Sequence, residues 1–171
     1  MNNSERIAFF VLLRSFDRFG GLLRVMKVDL SAEITFLLDD LWVCLASGSK
    51  KINFKSAIKA IDAAVVDEQD ASTEEIYRNL YMYALSDFLM FFSEGEESLS
   101  AAESSVVEAY DYIAAQNFLL NEKGGKAVAL SEGDEEKIKN DPLYVRELDA
   151  LRVDREFAGN IDQWERVLEF R

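Results

Sequence analysis

The sequence predicts an all-α protein, a single-domain bundle of six to seven helices that spans residues 1–171. One Pro and 8 Gly in 171 residues are few, which favours long uninterrupted helices. No stretch alternates apolar and polar residues with the period of a strand. An apolar fraction of 49%, with 12 Phe, supplies one large core. No internal repeat or linker-like segment divides the chain, so we predict one domain.

Capping residues predict where the helices begin and end. Six segments start at or just after a capping residue and stop near Gly or a polar run: Ser4–Phe19, Ser31–Ala46, Phe54–Val66 after Asn53, 74–93 after a capping box of Ser72 and Glu75, Ser100–Leu120, and Asp141–Ala158. We expect Gly20 and Gly21 to end the first, while Ser98 is an alternative start for the fifth. The connector that follows is polar, with one expected turn around Asp134–Lys139, and a short last helix should carry Trp164.

The fourth predicted helix is apolar around nearly its whole circumference, so we expect residues 74–93 to form a largely buried central helix. Leu80, Leu85, Phe88 and Phe91 should be buried there. Asp87 lies in the middle of this helix and should be hydrogen-bonded, paired or protonated, because a lone buried carboxylate is costly. A Tyr hydroxyl or an Arg are the partners we expect, and a binding role for Asp87 stays open.

Two adjacent aspartates interrupt the second predicted helix. Helical periodicity assigns Ile34, Leu38, Leu41 and Leu45 to a core-facing stripe. Phe36 and Val43 then lie on the opposite side, with Asp39 on one edge and Asp40 on the other. Adjacent helical residues do not face each other, so the two carboxylates cannot share a proton. The remaining alternatives are an exposed apolar strip with an acidic border, typical of a protein interface, or a strip that another helix covers.

The residue types argue against an enzyme and against bound cofactors or metals. The absence of His removes the commonest general bases, the Ser-His-Asp triads and most zinc or iron sites. The single Cys44 cannot form an internal disulfide and is expected to be an inert buried thiol. We therefore predict no catalytic, cofactor-binding or metal-binding residues.

The charge is strongly negative and unevenly distributed. The net charge is −13, yet residues 1–60 hold nine Lys and Arg against six Asp and Glu, a balance of +3. The remainder holds ten against 26, a balance of −16. Such a field repels nucleic acid and membrane surfaces and attracts basic proteins, although it serves solubility equally well. The apolar run Ile7–Leu13 is too short for a membrane span, which predicts a cytoplasmic protein.

An ordered series of short motifs resembles the YjaG-like family of bacterial all-helical proteins of unassigned function. The motifs are "LLDDLW", "KKINF", "YALSDF", "EGEESLSAAE" and "NDPLYVRELDALRVDREFA", which extend over most of the chain. The chain departs from that family at Gly20-Gly21 and in a longer connector before Asn140. The resemblance implies an all-helical fold and transfers no active-site residues. It also implies a role that some relatives are thought to have, as immunity proteins beside secreted toxins.

These observations together predict an immunity-type inhibitor that neutralises a basic bacterial toxin, such as a nuclease, by binding it through acidic residues. The predicted partner-binding residues are Phe36, Asp39, Asp40, Val43, Asp67, Glu68 and Asp70. The alternative is a non-catalytic housekeeping bundle that binds a small ligand or regulates another protein. Self-association is left open by the sequence.

Overall fold

Every regular element is a helix in the part of the chain that the computed structural model describes, residues 1–126 and 128–171. The α-helices are α1 Asn3–Val25, α2 Ala32–Ser47, α3 Phe54–Ala64, α4 Thr73–Glu94, α5 Glu96–Lys123, α6 Glu132–Lys139 and α7 Pro142–Ala158. A C-terminal 3₁₀ helix follows at Trp164–Phe170. The all-α prediction is confirmed. The described residues hold eight helices, the 3₁₀ helix included, where the sequence predicted six to seven.

Four helices, α2, α3, α4 and α7, begin where their capping residues predicted. The Ser31 hydroxyl accepts the Ile34 amide at the start of α2, and Gly48 ends that helix in the left-handed conformation. Ser72 and Glu75 form a reciprocal capping box at the start of α4. Helix α7 starts at Pro142, one residue after its Asp141 cap. Local side-chain chemistry thus determines these boundaries.

Helix α1 does not end at Phe19, and the prediction of a stop at Gly20-Gly21 is wrong. The helix continues to Val25 because Leu23 is fully buried and holds the extra turn against the core. A Cβ on Gly20 would lie 3.5 Å from the Leu30 side chain and 3.8 Å from the Tyr81 hydroxyl. Both distances are ordinary van der Waals contacts, so the structure has room for a larger residue at Gly20, and this glycine does not break the helix.

Helices α4 and α5 are joined by a single residue, Gly95, at a positive φ of 89°. Helix α5 therefore begins at Glu96, before both predicted starts at Ser98 and Ser100. Ser98 is buried in the first turn of α5, and its hydroxyl donates to the Glu94 carboxylate at the end of α4. The two helices pack along most of their length as an antiparallel pair.

Several other boundaries differ from the predicted ones: α2 ends at Ser47 instead of Ala46, and α5 at Lys123 instead of Leu120. Helix α3 ends at Ala64 instead of Val66, because Val65 is extended. The turn expected around Asp134–Lys139 is a complete eight-residue helix, α6, which Ser131 caps.

The core is shared between α1 and α4. Phe9 of α1 packs edge to face on Phe88, with ring centroids 4.8 Å apart, and on Phe91 at 5.5 Å. Leu85, Phe88 and Phe91 are fully buried, whereas Leu80 is only partly buried. The largely buried helix predicted at about 74–93 is confirmed as α4. Asp87 is partly exposed and accepts a 2.5 Å hydrogen bond from Ser105 of α5, instead of the Tyr or Arg expected.

Helix α7 is fixed to α1 by charged groups. Arg18 of α1 donates two parallel hydrogen bonds of 2.8 Å to the Glu147 carboxylate, and a third, through Nη1, to Asp154. Ser15 donates a 2.5 Å hydrogen bond to Glu147. Glu147, Asp154 and Ser15 are buried, so these contacts, here called the Arg18 ion network, are largely shielded from water.

The surroundings of Arg18 keep its guanidinium protonated and positively charged. Burial lowers the pKa of the Arg18 guanidinium, but hydrogen bonds and charge from Glu147 and Asp154 more than offset it and raise that pKa. Burial also raises the pKa of the nearby Tyr110 phenol, and the Glu147 charge adds to the shift. Tyr110 therefore stays neutral beside the network.

Replacing Phe88 with Ala should lower the free energy of unfolding by about 3–5 kcal/mol, because it leaves a cavity between α1 and α4. Phe36→Ala is the matched control, since Phe36 is exposed and its loss should change stability by about 0.5 kcal/mol or less. Urea denaturation of both variants measures the difference. Equal effects would contradict the assignment of Phe88 to the core.

Arg18→Met should destabilise the protein by about 3–5 kcal/mol, because two buried carboxylates lose their guanidinium. Arg14→Met removes a longer contact of 3.7 Å to Asp154 and an exposed 3.0 Å hydrogen bond to the Phe170 carbonyl, from a side chain that is 35% exposed. That control should cost about 1 kcal/mol or less. Thermal or urea unfolding is the measurement, and similar losses for both variants would show that the buried network is unimportant.

Candidate functional site

The outward side of α2 carries the strongest candidate for a binding surface. Phe36 is 66% exposed and Val43 is 54% exposed, so no helix among the described residues covers them. The opposite stripe is buried as predicted: Ile34, Leu38, Leu41 and Leu45. Of the two alternatives left open by the sequence, an exposed apolar strip and a covered one, the covered strip is therefore wrong. We name Phe36, Asp39, Asp40 and Val43 the α2 strip.

The two aspartates of the α2 strip lie on opposite edges, beside different elements. The Asp39 carboxylate forms an ion pair with the guanidinium of Arg171, with Oδ1 and Nη1 2.5 Å apart. Arg171 follows the C-terminal 3₁₀ helix. Asp40 is exposed and lines a groove of about 210 Å³ between α2 and α3, together with Phe36 and Ile52. The carboxylates thus form two separate borders of an apolar centre, and cannot act as a shared-proton pair.

The C-terminal 3₁₀ helix packs along α2 and widens this face. Trp164 and Val167 are buried, whereas Leu168 is 45% exposed. Arg171 directly follows this helix and contacts Asp39, so the end of the 3₁₀ helix borders the α2 strip.

The second group of predicted partner-binding residues lies in the loop between α3 and α4. Asp67, Glu68 and Asp70 are all exposed. Asn79 of α4 fixes the start of this loop, because its buried amide accepts the Val66 N–H at 3.1 Å and donates to the Val66 carbonyl at 2.8 Å. The acidic loop (67–70) is therefore held in place by hydrogen bonds and does not depend on a partner to order its start.

The acidic loop borders a cleft of about 630 Å³ between α3 and α4. Asp62, Asp67 and Glu68 line it together with Tyr83, whose hydroxyl donates to the Glu68 carboxylate at 3.1 Å. This contact and burial of the ring raise the pKa of the Tyr83 phenol, burial being the larger cause. The cleft therefore offers carboxylates beside an aromatic ring to a positively charged partner.

The structure does not bring the two groups of predicted residues together. Asp40 lies beside Ile52 and Asn53 at the start of α3, whereas the acidic loop follows the end of that helix. Eleven residues of α helix separate the two ends by about 16 Å. A partner that contacts both groups must therefore cover the length of α3.

No chemical centre stands out beside these surfaces. Cys44 is buried, its thiol donates to the Lys51 carbonyl at 3.4 Å, and burial together with the Asp40 charge raises the pKa of the thiol. Among residues 1–126 and 128–171, no three His, Cys, Asp or Glu side chains are grouped to hold a metal ion. No helix in the same ranges has both the length and the apolar character of a membrane span.

Sequence reasoning missed several residues of these surfaces. Arg171 lies far from α2 in sequence, and no local pattern connects it to Asp39. Tyr83 is one of many large apolar and aromatic residues of α4, so the sequence pattern did not single it out. Asn79 did not differ from the other polar residues of that helix. A polar residue at a buried position of an apolar helix is the one available signal, and it indicates Asn79.

Comparison of the chain with models of known protein families, with curated proteins and with solved structures gives no match. The resemblance to the YjaG-like family stays a prediction based on the sequence motifs.

Asn79→Ala should cost about 1–3 kcal/mol, because the Val66 N–H and carbonyl lose their partner in a partly buried setting. It should also speed amide hydrogen exchange in the acidic loop. Asn140→Ala is the matched control, since its exposed amide donates only one hydrogen bond, to the Glu136 carbonyl. Amide hydrogen exchange measured by mass spectrometry compares the two variants. If the amides of the acidic loop exchange at the wild-type rate in the Asn79 variant, Asn79 does not anchor the loop.

Proposed function

We propose that this protein is an immunity-type inhibitor, a non-catalytic cytoplasmic protein that neutralises a cognate basic bacterial toxin by binding it directly. The observation that carries the proposal is the exposed α2 strip, where Phe36 and Val43 form an apolar centre between two acidic borders. An apolar centre that partner contact can desolvate, inside a polar rim, is the usual anatomy of a protein interface.

The charge distribution supports a basic partner. The net charge is −13, and the excess lies after residue 60. A field of this sign steers a basic protein toward the surface and raises the association rate, while it repels nucleic acid and anionic membranes. A toxin that acts on nucleic acid has a basic cleft, and carboxylates can occupy the positions that phosphates take there.

The acidic loop supports the same kind of partner. Its anchored start and the neighbouring Tyr83 present carboxylates beside an aromatic ring, an arrangement that suits Arg or Lys side chains. A partner that bridges the α2 strip and this loop would contact all seven residues that the sequence predicted. The immunity role implied by the YjaG-like resemblance agrees with this proposal.

A housekeeping bundle that binds a small ligand is the second candidate. It is favoured by a cavity of about 340 Å³ between the end of α7 and the 3₁₀ helix, lined in part by Phe157, Ile161 and Phe170. A metabolic gene neighbourhood would support this candidate, whereas an adjacent toxin gene supports the immunity function.

Reversing the acidic borders tests how the partner binds. Asp39→Lys with Asp40→Lys should lower the association rate constant for the toxin and flatten its salt dependence, because steering is lost. Val43→Ser should act mainly on the dissociation rate, through the apolar centre. Asp149→Lys is the control, since Asp149 is exposed on α7 and contributes to neither surface. Surface plasmon resonance at several salt concentrations measures both rates.

Co-expression tests the function itself. Cells that make the toxin encoded beside this protein should survive when the wild-type protein is present and die with the doubly reversed variant. Circular dichroism and urea denaturation of each variant show that the fold is retained. Killing by that toxin despite the wild-type protein would exclude the immunity function.

A further inference from the structure

Helix α3 is covered on only one side. Ala57 and Ile61 are its only buried residues, and they contact the core. The uncovered side borders a groove against α2 that consists of two adjoining cavities of about 210 and 530 Å³. The two cavities share Glu33, Ser56 and Ala60, so they form one continuous groove along the helix pair, named here the α2–α3 groove.

The two walls of the α2–α3 groove carry opposite charges. Glu33 and Asp40 line it from α2, and Lys59 lines it from α3. None of the ion pairs within residues 1–126 and 128–171 includes any of these three side chains. Hydrogen bonds from the Glu33 backbone amide and from the Ser31 hydroxyl lower the pKa of Glu33, so this wall is negative at neutral pH.

The α3 side of the groove is built from small residues. Ser56, Ala60, Ala63 and Ala64 line it and recur at helical spacing. Another helix can therefore approach the α3 backbone closely, since interaxial distance is set by the side chains at the contact. Phe36 projects beside the groove and is 66% exposed, which gives the incoming element a large apolar surface to cover.

We propose that two copies of this chain associate symmetrically through the α2–α3 groove, each placing its α3 in the groove of the other. In a twofold arrangement the same patch meets itself, so a patch that contains both charges can satisfy both. The small residues of the two α3 helices pack together. Lys59 of each copy then pairs with Glu33 or Asp40 of the other, and Phe36 covers the aliphatic stem of that lysine.

Charge favours a second copy over a basic partner in this groove. Residues 1–60 carry a balance of +3, whereas the remainder carries −16, so two copies repel least through the N-terminal part. A basic protein that entered the groove would meet Lys59 and the nearby Lys55, both exposed. Among the described residues, the part of the α2 strip that faces away from α3, Asp39 and Val43, has no lysine beside it, and its one neighbouring cation, Arg171, is already paired with Asp39. The dimer and the toxin-binding function are separate proposals that compete for Phe36 and Asp40, so the toxin would bind the monomer.

Sedimentation velocity of the full chain across a range of concentrations tests the dimer. The wild-type mass should rise toward twice the protomer mass as concentration increases. Lys59→Glu should raise the dimer dissociation constant about tenfold or more, because each of the two symmetric pairs becomes repulsive. Combining Lys59→Glu with Glu33→Lys and Asp40→Lys should restore association, since the charges are then exchanged between the walls. Lys139→Glu on α6 is the control, with the same change of net charge outside the groove.

Two results would overturn the proposal. If the wild-type protein stays monomeric up to about 1 mM, the α2–α3 groove does not bind a second copy of the chain. A dimer that Lys59→Glu and Lys139→Glu weaken equally forms elsewhere or responds only to net charge. Failure of the toxin proposal is distinguishable, because Asp39→Lys and Val43→Ser should reduce toxin binding without changing the dimer, and Lys59→Glu should do the reverse.

Discussion

The partly buried guanidinium of Arg18 is the constraint on which the C-terminal third of the structure depends. Helix α7 turns Glu147 and Asp154 inward, where an apolar helix would place Leu or Val, and exposes Val145, Leu148 and Val153. Such a helix cannot be held by apolar burial alone. Because leaving a buried carboxylate unpaired is costly, Arg18 of α1, together with a longer contact from Arg14 to Asp154, restricts the position and rotation of α7.

This constraint reaches the candidate binding surface through the chain that follows α7. The 3₁₀ helix can dock on α2 only if α7 ends near the start of α1, where Trp164 packs on Phe10 and donates to Asn3. Docking in turn places Arg171 against Asp39. One border of the α2 strip is thus formed by the fold as a whole, while the other, at Asp40, depends on the neighbouring α3.

The sequence predicted local features, such as helix starts and helix faces, but not the contacts between residues that are distant in the chain. Ser31, Ser72 and Asp141 marked helix starts correctly, because a capping side chain acts within three residues of itself. The strip of Phe36 and Val43 followed from helical periodicity. The predicted helix end at Gly20-Gly21 was wrong, because burial of Leu23 outweighs the weak helix propensity of glycine. No periodicity links Arg18 to Glu147 or Asp39 to Arg171, since these pairs join residues more than a hundred positions apart.

The one-residue joint at Gly95 has a consequence for how the chain folds. It brings α4 and α5 side by side with almost no loop to close, so this pair gains its contacts at a small entropic cost. The contacts between α1 and α7 must instead close a segment of 129 residues, from Arg18 to Glu147. We therefore expect an early hairpin nucleus of α4 and α5 that α1 joins through its phenylalanines. Helix α7 and the 3₁₀ helix should dock last and be the first to detach under mild denaturation.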